Sequence, residues 1–294
     1  MNLLVYILVY PLIWLISILP FKILYFISDG IYLLLYHVVG YRKKVVYKNL
    51  KLVFPEKSNE ELIAIQKKFY HHFVDIFIEM IKSFTIAEKE LDKRFIFKNI
   101  DLLNTLYTNK KSTILVFNHY ANWEWIIAIA KFLNYKCFAA YTKVKNTYFD
   151  HQILNSRERF GVKLLPTSKT IAAIDENEKN NIQGIYGLLS DQSPQLKKTH
   201  YWSSFLGIKV PIHTGAEMLA KKYDMNLVFA DIQKVKRGYY ECTFSLISDD
   251  AKKYADYKLT DIYLEKLEKQ VRLKPEFYFW THNRFKHMDK TPKS

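Results

Sequence analysis

Seventeen consecutive residues near the start of the chain, Leu3 to Leu19 (LLVYILVYPLIWLISIL), carry no charge. About 17 residues is the lower limit for a helix that crosses a bilayer, and ~20 is usual. This run must be buried in a protein core or in lipid, and it limits the possible folds more than any other feature. Pro11 stands in its middle, and Pro20, Lys22 and Asp29 interrupt the apolar text before it resumes from Ile31 to Val39. The uncharged start, Met1-Asn2, and the lack of an A-x-A site do not read as a cleavable leader. Two arrangements stay open: a short spanning helix, or a kinked hairpin lying in one leaflet. Arg42, Lys43, Lys44, Lys48 and Lys51 follow at once. Basic residues beside an anchor remain cytoplasmic and attract anionic lipid. The expected division is a membrane anchor over 1–40 and one domain over 41–294, with the bulk of the chain in the cytoplasm, facing the inner leaflet.

Beyond the anchor the pattern is that of a folded domain. With 49% hydrophobic residues, the chain has enough apolar side chain for a sizeable core. Ser58 and Glu61 have capping-box spacing. After them Leu62, Ile65, Phe69, Phe73, Ile76, Met80 and Phe84 recur every three or four residues, which predicts a long helix. Lys67, Lys68, His71 and Asp75 fall on its polar face, and neighbouring His71 and His72 point apart, which disfavours a shared metal. Strands are expected at 113–117, 137–141, after the Gly161 turn to 165, 182–189, 226–235 and 239–247. Helices are expected at 123–132, 171–178, 213–223 and 260–273. Strands alternating with helices imply an α/β layered domain with a central, largely buried sheet flanked by helices. Cys137 and Cys242 sit in apolar text without a CxxC pairing and read as reduced, buried thiols.

The stretch VFNHYANWEW carries the chemistry. His119 and Glu124 lie five residues apart, between a strand and the helix expected to follow. Five helical positions amount to a rotation of roughly 140°, so the two cannot share a helical face. With His119 in the turn, Glu124 can bend back to the imidazole. A carboxylate on one ring nitrogen fixes the tautomer and leaves the other free to take a proton. A bare H-x4-E spacing also arises by chance. No G-x-S-x-G elbow, P-loop, G-x-G-x-x-G or H-E-x-x-H is present to suggest another chemistry.

NHYANWE resembles the NH-x4-D/E motif of glycerolipid acyltransferases. YRKKVVYKNLKLVFPEKSNEE, SRERFGVKLLP, LLSDQSP, VPIHTGAEMLAKK and LEKQVRLKPEFYFWTHNRFKH follow in the order and spacing of the late acyltransferases of lipid A biosynthesis, the lauroyl and myristoyl transferases. The resemblance covers about residues 40 to 288. It implies transfer of a fatty acyl group from acyl carrier protein to a hydroxyl of a lipid A precursor, at the cytoplasmic face of the cell inner membrane. It implies His119 as general base with Glu124 as its partner, Arg157 and Arg159 toward phosphate or the thioester oxygen, and Asp191 and Gln192 as scaffold or acceptor contacts. No metal or cofactor is implied. Two departures bear on the acceptor: Trp280, His282, Asn283 and Arg284 read W-T-H-N-R where paired arginines are usual, and the loop before the V-P segment is Ser204-Phe205-Leu206-Gly207.

Two further readings remain. One is an O-acyltransferase of the same fold acting on another membrane lipid or aminolipid. The other is a basic, non-catalytic membrane-binding protein using the net charge of +15. No nucleic-acid partner is expected, because the basic residues are dispersed and match no recognised motif.

Overall fold

The computed structural model describes residues 2–290; Met1 and residues 291–294, at the outer ends of the two expected segments, lie outside the described residues. The chain opens with α1 (Asn2–Ile18) and α2 (Phe21–Leu33), which runs on into a π-helical turn, Leu34–Val39. α3 (Lys43–Val53), α4 (Asn59–Lys82), α5 (Glu88–Arg94), β1 (Phe95–Phe97), α6 (Asp101–Thr108) and β2 (Thr113–Phe117) follow. After a 3-10 segment, Trp125–Phe132, come β3 (Lys136–Tyr141), α7 (Thr147–Glu158), β4 (Val162–Pro166), α8 (Thr170–Lys179) and β5 (Gly184–Leu189). The hairpin β6 (Trp202–Phe205) and β7 (Ile208–Pro211), then α9 (Gly215–Tyr223), β8 (Asn226–Lys236), β9 (Tyr239–Ser248) and α10 (Lys258–Leu273) complete it.

Seven strands form one sheet in the order β1-β9-β8-β2-β5-β3-β4, and every pairing except β8 with β9 is parallel. All five residues of β2 are buried, as expected of a strand covered on both faces. The result is a layered α/β domain preceded by an apolar helical segment. Side chains alternate across the strand: Leu115 and Phe117 face the 3-10 segment, while Val116 faces α9 and α10.

Two local outcomes differ from the sequence pattern. Ser58 and Glu61 do form a reciprocal capping box at the start of α4. Its expected polar face, however, is not wholly solvated: Asp75 is fully buried, as is Glu79 one turn further on, because α2 packs over them. The helix expected from Trp123 is instead the 3-10 segment, which starts at Trp125. Residues 119–121 are tied to the chain's end, with the Ala121 amide donating to the Phe277 carbonyl at 3.0 Å and the Phe279 amide to the His119 carbonyl at 3.1 Å. Ala121 is held there with φ of 50°, a left-handed conformation that an α-helix cannot continue through. Ile126, Ile127 and Ile129 add β-branched crowding against a regular helix.

Candidate active site

The parallel register of β2 and β5 builds the centre of the site. Phe117 pairs with Leu189 at the carboxyl ends of the two strands, so His119 and Asp191, each two residues further on, emerge side by side. The chain leaves β2 toward β3 and leaves β5 toward β8, in opposite directions across the sheet. Such a divergence opens a crevice at the carboxyl edge of an α/β sheet, where ligands bind. Between these ends His119 Nδ1 lies 2.8 Å from Asp191 Oδ1. Facing a carboxylate, Nδ1 carries the proton and donates it, leaving Nε2 free as an acceptor.

The electrostatics of the pair follow from burial and contact. Burial opposes protonation of the imidazole, but the charge and hydrogen bond of Asp191, with a further contribution from Glu124, raise the His119 pKa above its ordinary value. Burial pushes Asp191 upward, yet His119 and local backbone donors hold its carboxyl below the usual range. Asp191 Oδ2 has no hydrogen-bond partner among the described residues. The His119 side chain keeps 20% of its surface accessible and Asp191 only 1%. Trp123 and Phe279 flank the imidazole with ring centroids 5.2 and 5.7 Å away. The Gln192 amide nitrogen lies 3.4 Å from both ring nitrogens.

Glu124 does not make the hydrogen bond to His119 that local spacing suggests. Its Oε2 accepts from Arg157 at 2.5 Å and its Oε1 from the Trp123 indole at 3.1 Å. Asp191, expected as scaffold, takes the place on the ring. Arg157, at the end of α7, thus joins the site through Glu124. Arg159 does not: it donates to the Ser83 and Ile86 carbonyls at 2.9 and 2.6 Å, just past the end of α4.

Glu124, Trp123 and Arg157 stand at one end of a cleft walled by Phe117, Ile126, Ile127, Ala139, Leu164 and Gly187. The wall continues inward through Leu115, Ile129, Cys137, Phe138, Val162 and Ile185, without a charged side chain. Gly187 matters there, because a Cβ at that position would come within 3.2 Å of the Phe117 ring.

Three supports of the site have no role assigned to them by the sequence pattern. Asn122 accepts the Trp125 amide through Oδ1 and donates through Nδ2 to buried Glu79 at 2.7 Å, fixing the loop between His119 and Glu124. His282, whose pKa burial depresses to about 4, accepts the Ser193 amide at 3.2 Å. Ser193 in turn donates to the Arg284 carbonyl at 2.7 Å, so the W-T-H-N-R segment braces the turn that carries Asp191 and Gln192. Only the H-x4-E stretch and the closing motif hinted at these roles. His71 contacts Asp29 at 2.9 Å, and His72 Nδ1 contacts Lys234 at 3.0 Å. Among the described residues, no group of three or more His, Cys, Asp or Glu side chains could hold a metal ion.

The class that fold and site define is an α/β protein with an imidazole–carboxylate pair at the carboxyl edge of its sheet, beside an apolar cleft. The family model of bacterial lipid A biosynthesis acyltransferases matches residues 2–287. The chain belongs to that family and is an acyltransferase. No individual curated protein matches the chain.

Proposed function

We propose that the protein transfers a fatty acyl group from acyl carrier protein to a hydroxyl of a lipid A precursor, a secondary acylation at the cytoplasmic face of the inner membrane. The observation that carries this reading is the 2.8 Å contact between His119 Nδ1 and Asp191, next to Trp123, which lines the apolar cleft. The acceptor hydroxyl gives its proton to His119 Nε2 as its oxygen attacks the thioester carbonyl carbon. The tetrahedral intermediate then collapses, the carbon–sulfur bond breaks, and the imidazolium returns its proton to the departing thiolate. Asp191 orients the ring and stabilises the imidazolium. Glu124 adds its negative field to that stabilisation and holds Arg157 at the end of the cleft. Arg157 suits phosphate on the acceptor or negative charge on the thioester oxygen. Gln192 serves the acceptor side next to the imidazole. Arg159 contributes by bracing α7 against the end of α4.

A net charge of +15 suits a strongly acidic donor protein. Steering acts on association, and exposed charges are screened beyond ~8 Å at physiological salt. The test is thiol release from acyl carrier protein and from acyl-coenzyme A, each with a lipid A precursor, across ionic strengths. The reading expects kcat/KM for the carrier protein to fall with salt at nearly constant kcat. Equal use of acyl-coenzyme A removes the acidic donor, and no release from either donor removes the activity. The W-T-H-N-R and Ser204–Gly207 departures favour a second reading in one respect only, another lipid acceptor. Mass spectrometry of envelope lipids with and without the protein decides between them.

A further inference from the structure

The two apolar helices at the start of the chain are strapped to the domain along their length. At the beginning of α1 the Asn146 side chain donates to the Asn2 carbonyl at 3.0 Å. One turn on, Gln152 donates to the Tyr6 hydroxyl at 2.9 Å and accepts from Tyr10 at 3.1 Å. At its far end Lys82 donates to the carbonyls of Ser17 and Leu19 at 2.8 and 2.9 Å. α2 is held in the same way: Tyr25 donates to Glu79 and Ser28 to Asp75, both at 2.8 Å. Asp29 pairs with Arg237 at 2.6 Å.

These bonds conflict with crossing a bilayer. α1 has 17 residues, about 25 Å at 1.5 Å per residue, only the lower limit for a hydrocarbon core of ~30 Å. Residues 21–39 are long enough by themselves, with a mean hydropathy of 1.3. Asp29 is near their midpoint, however, and its partner Arg237 sits in the turn between β8 and β9. A spanning α2 would draw Arg237, Asp75 and Glu79 into hydrocarbon, where charge is costly.

The outward faces of the helices are nevertheless apolar. Leu4, Leu8 and Leu12 of α1 are 61%, 68% and 59% exposed, and Phe26 and Val38 of the second helical stretch are 79% and 76% exposed. Patches of this extent are rare on soluble monomers. Lys22, Arg42 and Lys44 flank them as exposed cations, complementary to anionic head groups.

We propose that residues 2–39 form an in-plane hairpin seated in one lipid leaflet, with neither helix crossing the bilayer. Helices of this kind bury their apolar face ~5–10 Å into the boundary of head groups and acyl chains. α1 packs on α7, which carries Arg157, so the cleft's polar end lies beside the leaflet and a lipid substrate reaches it laterally. The hairpin does not depend on the acyl-transfer reading and stands without it.

The test uses the full-length protein in sealed membrane vesicles of both orientations, with single variants Asn2→Cys, Lys22→Cys and Lys44→Cys and a membrane-impermeant maleimide. Cys137 and Cys242 are buried and leave a clean background. The expected result is no labelling of Asn2→Cys or Lys22→Cys from the side opposite Lys44→Cys, with all three reacting once detergent is added. Far-side labelling of Asn2→Cys means that α1 spans, and far-side labelling of Lys22→Cys means a spanning hairpin; either overturns the proposal. A bimane fluorophore on Leu8→Cys or Phe26→Cys should lose most of its emission to brominated lipid. Unquenched bimane, together with cross-links between copies at these positions, would make a second chain the occupant and overturn the proposal too.

Discussion

Asp191 and Glu79 are both buried carboxylates, one at the carboxyl edge of the sheet and one in the seam beneath α2, and they are driven in opposite directions. Among the described residues, Asp191 has one side-chain partner at hydrogen-bonding distance, His119, and an oxygen without one. His119 holds it below the usual carboxylate range despite burial. Glu79 receives hydrogen bonds from Tyr25, Asn122 and Tyr240. Even so, burial prevails over these donors and over the nearby Lys234 charge and lifts its pKa to about 7. A carboxylate with several donors joins elements together: α2, α4, β9 and the loop after His119 meet at Glu79. A carboxylate left with one titratable partner tunes that partner. Substitutions at the edge should therefore change rate, and substitutions in the seam should change stability.

The largest expected effect is at the edge. His119→Ala should lower turnover by ~10² to 10⁴ while the melting temperature and membrane association stay near those of the parent. Retention of more than about a tenth of the activity would remove His119 as the general base. A smaller effect at the same edge is expected from Gly187→Ala. The added methyl presses on the Phe117 ring and narrows the cleft, so preference should move to shorter acyl chains by roughly tenfold, the discrimination one methylene provides. An unchanged chain-length profile would separate the cleft from the acyl chain.

The seam should respond in stability. Glu79 binds its proton more tightly in the folded state than in the unfolded one. Its contribution is therefore fully present below the ordinary carboxylate pKa and is lost as pH rises through about 7. Between pH 5 and 8 Glu79 lowers the urea midpoint in detergent as pH rises, against the opposite contribution of His282, whose pKa is depressed to about 4. The midpoint of Glu79→Gln should fall less with pH than that of the parent. The substitution also costs about 1–3 kcal/mol, because an amide NH2 replaces one of the two oxygens that accept from Tyr25, Asn122 and Tyr240. The pH dependence of turnover should keep its position in that variant. A shift there instead would mean that the two regions are not separable.

Much of this architecture is written in local pattern. The β-branched run at 113–117, the capping box at Ser58 and the Gly161 turn each specify their element through nearby residues, and the alternation of strands and helices follows. The partner of His119 is not local. Asp191 is 72 residues away along the chain and comes to the ring only through the pairing of Phe117 with Leu189, which no spacing within NHYANWE encodes. Glu124 is near in sequence but is drawn to Arg157 by α7. Arg157 and Arg159 are two residues apart, and they diverge because α7 ends between them. Asp75 reads as a solvated residue on α4 because the helix that covers it is itself apolar text resembling a free anchor.

The central claim is that Asp191 sets the tautomer and basicity of His119, with Glu124 acting from further off. It is tested most directly by the pH dependence of kcat/KM for Asp191→Asn and Glu124→Gln against the parent. His119 must be neutral to act as base, so activity rises with pH through its raised pKa. Removing the charge on Asp191 should move that acidic limb to lower pH and lower the plateau by about 10² or more. Glu124→Gln should move the limb less, since its charge is the smaller influence on the ring. A limb that stays in place in Asp191→Asn but shifts in Glu124→Gln would contradict the account and return the partner's role to Glu124.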